Sequence, residues 1–286
     1  MVYKVLCLHS GSTLVLKALS IGLRDDPLAM SALVREAWVA NNVKHPQLMH
    51  GHEKPNTPSA NYILLEYVPG TSLRQWMYDH PNASLDSVRD IIKQLIRAVR
   101  SLHRLGVQHR DLRPENIIIQ ADQKLVLIDY GSVAVAGLNT HVEERVGALE
   151  YAAPELILGA PCQQPDHYSI VVIAYELLTG HSPFAQTPNH WQRYRRLSEF
   201  RYRPIYTSRS DLPHWLNACF DKALSPDPRH RYPAMSEFWQ DFTTPSNHLV
   251  RADDIPLVER YPVTVWQSLC LILVLMLLVQ NIYWWL

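Results

Sequence analysis

His109-Arg-Asp-Leu-Arg-Pro-Glu-Asn116 and, thirteen residues further on, Asp129-Tyr-Gly131 are the stretches that decide how this chain reads. The first follows a long segment of helical period. Leu85, Val88, Ile91, Ile92, Leu95, Ile96, Val99 and Leu102 recur at three and four, with Ser84 placed as an N-cap. Two short strands are expected next, Ile117 to Ile119 and Lys124 to Ile128, and the second runs straight into Asp129. Both polar clusters therefore fall in loops held by regular elements, where reactive groups are commonly placed. Each residue alone would read as an ordinary loop carboxylate or cap, and the combination carries the signal.

Around this centre the chain has 286 residues, room for one large domain or two ordinary ones. Lys plus Arg and Asp plus Glu are 27 each, a balance that argues against a surface wholly given to nucleic acid. Apolar residues make up 47%, enough for a sizeable core and too many for a disordered chain. Cysteines at 7, 162, 219 and 270 form no Cys-x-x-Cys pair and read as reduced thiols of a cytosolic domain. No two of the ten glycines lie two, three or five residues apart, so every G-x-G-x-x-G and Walker A loop is absent.

The first quarter reads as strands at Val2 to Leu8, Thr13 to Ala18 and Tyr62 to Val68, with a helix from Leu28 to Asn42. After Pro69-Gly70 helices dominate, with further ones expected over Tyr168 to Leu178, Trp191 to Leu197, Leu212 to Ala223 and Ala234 to Phe242. A small strand-rich lobe before a larger helical one is an α+β layout.

His109 to Asn116 with Asp129-Tyr-Gly131 resembles the catalytic loop and the metal-binding Asp-Phe-Gly of eukaryotic-type Ser/Thr protein kinases. The resemblance implies a two-lobed fold that binds ATP and Mg2+ between its lobes. In it Asp111 would orient a substrate hydroxyl and accept its proton, while Asn116 and Asp129 would be the hard oxygen ligands of Mg2+. Further matches follow in the family's order. Lys17, in Leu14-Val-Leu-Lys17, resembles the strand lysine that grips the nucleotide phosphates, and Glu36 its ion-pair partner. Leu65-Glu-Tyr-Val68 resembles the hinge, so Glu66 and Val68 would bond adenine through their main chain, with Ile118 also at the nucleotide. Ala153-Pro-Glu155 looks like the end of the activation segment, with Arg231 placed to pair with Glu155. Asp166-His-Tyr-Ser169 resembles the start of the buried helix that supports the catalytic loop.

The likeness covers residues 2 to 242, and several positions depart from the pattern. Val2-Tyr3 corresponds to a point past the first strand and Gly-rich loop, so the chain is expected to be truncated at that end. Arg113 stands for the usual lysine and would assist at the γ-phosphate. Tyr130 replaces Phe and brings a hydroxyl that needs a partner. Gly147-Ala148 lacks the threonine hydroxyl that helps orient the catalytic aspartate, and Val15 replaces an alanine against adenine. Thr140 is the expected autophosphorylation site between Gly131 and Ala153.

From Pro262 to Leu286 there is no charged residue, and some 24 helical residues would span roughly 36 Å against a hydrocarbon core of about 30 Å. Trp266, Tyr283, Trp284 and Trp285 fall where aromatic belts sit, and Arg251 and Arg260 favour a cytoplasmic location for the folded part. The alternative is a buried core helix. Together with Ser72-Leu-Arg-Gln-Trp-Met, this tail resembles the kinase half of bacterial proteins that join a protein phosphatase to a membrane-anchored kinase. That resemblance implies the bacterial inner membrane and a separate phosphatase as a partner. Trp191 to Arg203 interleaves five arginines with aromatics, read as a solvated face with no nucleic acid expected. His50-Gly-His52 reads as an exposed loop in preference to a metal site.

The expectation is therefore a partial kinase N-lobe over 1–68, a C-lobe over 69–245, a juxtamembrane linker over 246–261 and a transmembrane helix over 262–286. The expected activity is phosphoryl transfer from ATP to Ser or Thr hydroxyls of a protein substrate. A pseudokinase that keeps the fold without efficient transfer is the alternative.

Overall fold

The computed structural model describes residues 1–8, 10–53, 61–137, 148–184, 194–244, 246, 266–267, 269–273, 276–277 and 280. Four antiparallel strands make the first sheet. β1 (Val2–Leu6) pairs with β2 (Thr13–Ala18) in a register that sets Lys17 opposite Val2. The sheet continues through β4 (Tyr62–Glu66) to β3 (Gly51–His52), so that Ile63 flanks Lys17 on the other side. Between β2 and β3 runs α1 (Pro27–Asn42), started by Pro27 and by an Asp26 carboxylate that accepts the Leu28 N–H at 2.9 Å. Only one face of α1 is inward, with Leu33, Glu36, Val39 and Ala40 buried, and Glu36 is the charged member of that set.

β5 (Thr71–Ser72) leads into α2 (Leu73–Asp79), and α3 (Leu85–Arg104) begins at Ser84, whose hydroxyl accepts the Ser87 N–H. The apolar residues of α3 at three- and four-residue spacing are the buried ones, Val88 to Leu102. β6 (Val107–Gln108), β7 (Ile117–Ile119), β8 (Leu125–Leu127) and β9 (Ala134–Val135) then frame the two loops of interest. β7 pairs with β8 and with β5, and β6 with β9. A short parallel contact joins the halves: Leu127 N–H donates to Gln47 O and Met49 N–H to Leu127 O.

The centre of the helical half is α5 (Pro165–Thr179), after the short α4 (Pro154–Ile157). Thirteen of its 15 residues are buried, so it is apolar nearly all round, as a fully enclosed helix must be. Gly180, at φ +71°, ends it with an N–H to Glu176 O. α6 (His214–Ala223) and α7 (Met235–Thr243) complete the lobe through ring contacts among Phe220, Phe238 and Phe242.

Two expectations change here. Residues 194–197 form no α-helix; the chain reaches only a 3₁₀ turn at Leu197–Glu199, while 191–193 lie outside the described residues. Phe200 is buried and takes the Tyr194 ring edge-on, so an aromatic there serves the core before it can serve a helix face. His52 lies in β3, not in a loop, and His50 Nδ1 stands 3.0 Å from the Glu66 carboxylate. That carboxylate comes from 16 residues away, brought by strand pairing that local spacing does not reveal.

Candidate active site

Lys17 leaves β2 for the space between the lobes and meets two carboxylates. Its Nζ lies 2.8 Å from Glu36 Oε1 and 2.7 Å from Asp129 Oδ1. Burial alone would lower the lysine, but Glu36 and Asp129 outweigh it and hold the ammonium above its usual range. Asp129 is also pulled two ways, raised by burial and brought below its ordinary value by Lys17. For Glu36, 1% exposed, burial prevails and the carboxyl titrates above its normal value despite the lysine. Asp129 sits at φ +65°, a conformation a non-glycine residue holds only when its surroundings over-determine it. Gly131 closes this turn by donating its N–H to Asp129 Oδ1 at 3.0 Å. A Cβ there would stand 3.1 Å from that oxygen and 3.4 Å from Lys17 Nζ, so any side chain at 131 would press on the Asp129–Lys17 pair.

Asp111 has both carboxylate oxygens held. Oδ2 accepts from Asn116 Nδ2 at 3.1 Å and Oδ1 from the Ala148 main-chain N–H at 3.1 Å. The loop that carries Asp111 hangs from α5. Asp166, 1% exposed, accepts the main-chain N–H groups of His109 at 2.9 Å and Arg110 at 2.8 Å, and His103 Nε2 lies 2.7 Å away. Arg110 takes φ +63° there. Lower down, Arg231 meets Glu155 with two parallel bonds of 2.8 and 2.7 Å.

Residues 1–242 match the family model described as protein kinase domain. This chain belongs to the protein kinase family. It is 32% identical over 198 residues to the maternal embryonic leucine zipper kinase of Xenopus tropicalis, covering 66% of this chain and 29% of that protein. It is 27% identical over 252 residues to the probable serine/threonine-protein kinase PknB of Lactococcus lactis, covering 85% and 39%. It is 27% identical over 218 residues to the serine/threonine-protein kinase RAD53 of Saccharomyces cerevisiae, covering 71% and 26%. The chain thus spans well under half the length of these relatives.

In the kinase domain Arg113 has a partner that sequence reasoning does not supply. Its Nε donates to Glu115 Oε2 at 2.7 Å, and Arg74 Nε reaches the other oxygen of Glu115 at 2.9 Å. Arg74 also binds Glu176 at 2.7 Å and the Tyr151 hydroxyl, and that hydroxyl donates to Glu176 at 2.6 Å. These bonds hold Glu115 down to about 2, although its burial pushes the other way. Arg74 falls in the Ser72–Met77 stretch, but nothing local names Glu176 or Tyr151 as its partners, which converge on it from positions up to 102 residues apart. Only tertiary structure brings them together.

At the hinge, the chain leaves β4 after Glu66, and the Val68 main chain takes no hydrogen bond among the described residues. Glu66 N–H is committed to His50 O. Ile118 is half-buried, between buried Ile117 and Ile119 and on the other face of β7. The cleft's donor set suits a hard cation: Asn116 spends its amide N–H on Asp111, and Asp129 spends Oδ1 on Lys17 and Gly131, which leaves one amide oxygen and one carboxylate oxygen. Among the described residues no group of three or more His, Cys, Asp and Glu is set to hold a metal by itself. None of the chain's four cysteines forms a disulfide among the described residues. In the arginine-rich stretch Phe200 is buried and Tyr202 stands edge-on to Tyr175, so these rings face inward. Gly147 and Thr140 lie outside the described residues.

Proposed function

We propose that this kinase domain transfers the γ-phosphoryl group of ATP to Ser or Thr hydroxyls of protein substrates. The observation that carries the reading is Lys17 bonded at once to Glu36 and Asp129, with the Asp111–Asn116 pair tied alongside through the Ile128 N–H to Asn116 O. Lys17, fixed by Glu36, holds the phosphates, and the main chain at Glu66 and Val68 orients adenine over Ile118. Asn116 and Asp129 hold Mg2+, which supplies neutralisation of charge on the transferring group. Asp111 aims the substrate hydroxyl and accepts its proton. Arg113 reaches the γ-phosphate by exchanging Glu115 for it, which the sharing of Glu115 with Arg74 makes less costly.

The test is phosphate transfer to a Ser/Thr protein substrate by wild type and Asp111→Asn. The variant should lose about 10²–10⁴-fold in rate and still bind Mg-ATP. Equal rates would overturn the role of Asp111. Mg-ATP binding without transfer in the wild type would establish the pseudokinase instead.

The anchor belongs to the same proposal. Among the described residues no helix is long and apolar enough to cross a membrane, and most of 262–286 lies outside them. The reading is supported by the uncharged sequence and by the exposure of Trp266, Leu271, Ile272, Met276 and Leu277, a poor surface for water. The chain should sediment with membranes, resist carbonate extraction and keep its kinase domain on the cytoplasmic side. Recovery in the soluble fraction without detergent would refute it.

A further inference from the structure

Tyr130 is the residue between the metal-binding aspartate and its glycine. Its side chain is 0% exposed and its ring stands edge-on to buried His109 at 6.0 Å. The hydroxyl donates to Met49 O at 2.9 Å, inside the protein. Met49 belongs to the segment that is already tied to β8, through Met49 N–H to Leu127 O and Leu127 N–H to Gln47 O. The same short segment therefore grips the chain on both sides of Asp129, at Leu127 before it and at the Tyr130 hydroxyl after it. Between these ties Asp129 occupies its left-handed conformation. Any swing of the turn that carries the Tyr130 ring away must strand a buried phenol and the Met49 carbonyl without partners, which is costly.

We propose that the Tyr130 hydroxyl is a positioning latch for the nucleotide–metal site. It fixes the 129–131 turn in the one arrangement that presents Asp129 to Lys17 and the cleft, and so lowers the Mg2+ needed to bind ATP. Tyr130 touches neither substrate nor metal in this scheme; it acts through Asp129. A phenylalanine fills the same space and lacks only the bond to Met49. The metal half of this inference rests on the proposed function, whereas the latch itself is a property of the fold.

The experiment compares the full chain with Tyr130→Phe in two measurements. Hydrogen exchange without nucleotide or metal should be faster in the variant by about fivefold over residues 129–137, the scale expected for one neutral buried hydrogen bond, and unchanged over α5. The Mg2+ concentration at which ATP raises the melting temperature halfway should increase by a similar factor. Unchanged exchange at 129–137 overturns the latch, as does an acceleration that extends equally to α5. Faster local exchange with an unchanged Mg2+ requirement overturns the coupling to the metal site. A wild type whose melting ignores Mg-ATP would instead refute the nucleotide-binding reading, and the exchange comparison would still decide the latch.

Discussion

The main-chain N–H of Ala148 donates to Asp111 Oδ1 at 3.1 Å, and this bond supplies an orientation that the Ala148 side chain is unable to provide. The sequence shows only that a hydroxyl is missing at this position. The backbone replaces it, because Ala148 at φ −60° and ψ 114° turns its N–H toward the catalytic loop. Ala148→Pro keeps that φ and deletes the donor. Phosphate transfer should fall by about tenfold, the weight of one hydrogen bond to a charged group, with ATP affinity unchanged. Ala148→Thr should transfer at least as fast as wild type. Steady-state rates with ATP varied would separate the two effects.

Gly131→Ala places a methyl group against Asp129 and Lys17. The pair must shift by a few tenths of an ångström, a small cost to the fold and a large one to alignment. The expected outcome is about tenfold weaker Mg-ATP binding by titration calorimetry, with the melting temperature of the ligand-free protein nearly unchanged.

Gly70 sits at φ +147°, where a Cβ would lie 2.4 Å from Ile119 O and 2.7 Å from Ile118 Cγ2. Gly70→Ala combines backbone strain with a collision against main chain and should cost about 2–3 kcal/mol in denaturant unfolding. Because the push falls on Ile118, ATP affinity should weaken as well.

The Glu155–Arg231 pair predicts a pH dependence. Burial alone would raise the Glu155 carboxyl, but the Arg231 bonds outweigh burial and hold it below its ordinary 4.5. A depressed carboxyl stabilises the fold above its unfolded value and loses that contribution as pH falls through the folded one. Asp166 is shifted the same way, so wild-type stability should decline as pH drops below about 4.5. Arg231→Met leaves a buried carboxylate unpaired and should cost about 3–5 kcal/mol at pH 7. In that variant the Glu155 carboxyl rises, so protonation at low pH relieves the fold, and the gap to wild type should narrow toward pH 4. Urea unfolding at several pH values measures both trends.

Much of this architecture was legible in the residue order. The apolar period of residues 85–102 locates α3 within two residues of its ends, and Ser84 is its cap as expected. Lys17 meets Glu36 and Asp129, and Asp111 meets Asn116, because each stands at the end or on the inner face of a regular element, and the Ile128 N–H bonded to Asn116 O sets the second group beside the first. Two kinds of feature were not legible. One is main-chain chemistry: Ala148 N–H and Met49 O act without regard to their side chains, so residue type carries no trace of them. The other is convergence at long range. Nothing around Arg74 names Glu176 as its partner, and His50 meets the Glu66 carboxylate only once β4 brings it alongside. Arg113 was legible as a cation but not as one already engaged, since its partner Glu115 reads there as a loop residue.

Asp166 binds two amides of the catalytic loop from a helix that has almost no surface. The loop is thus suspended from the most enclosed helix described, and a buried helix opens only with the lobe around it. Inactivation by temperature should then be a single event with melting of the whole lobe, without an earlier stage in which the protein is folded but idle. Such a kinase resists gradual wear and fails abruptly. Its working range is set by the stability of α5 and its neighbours, far from any atom that touches substrate.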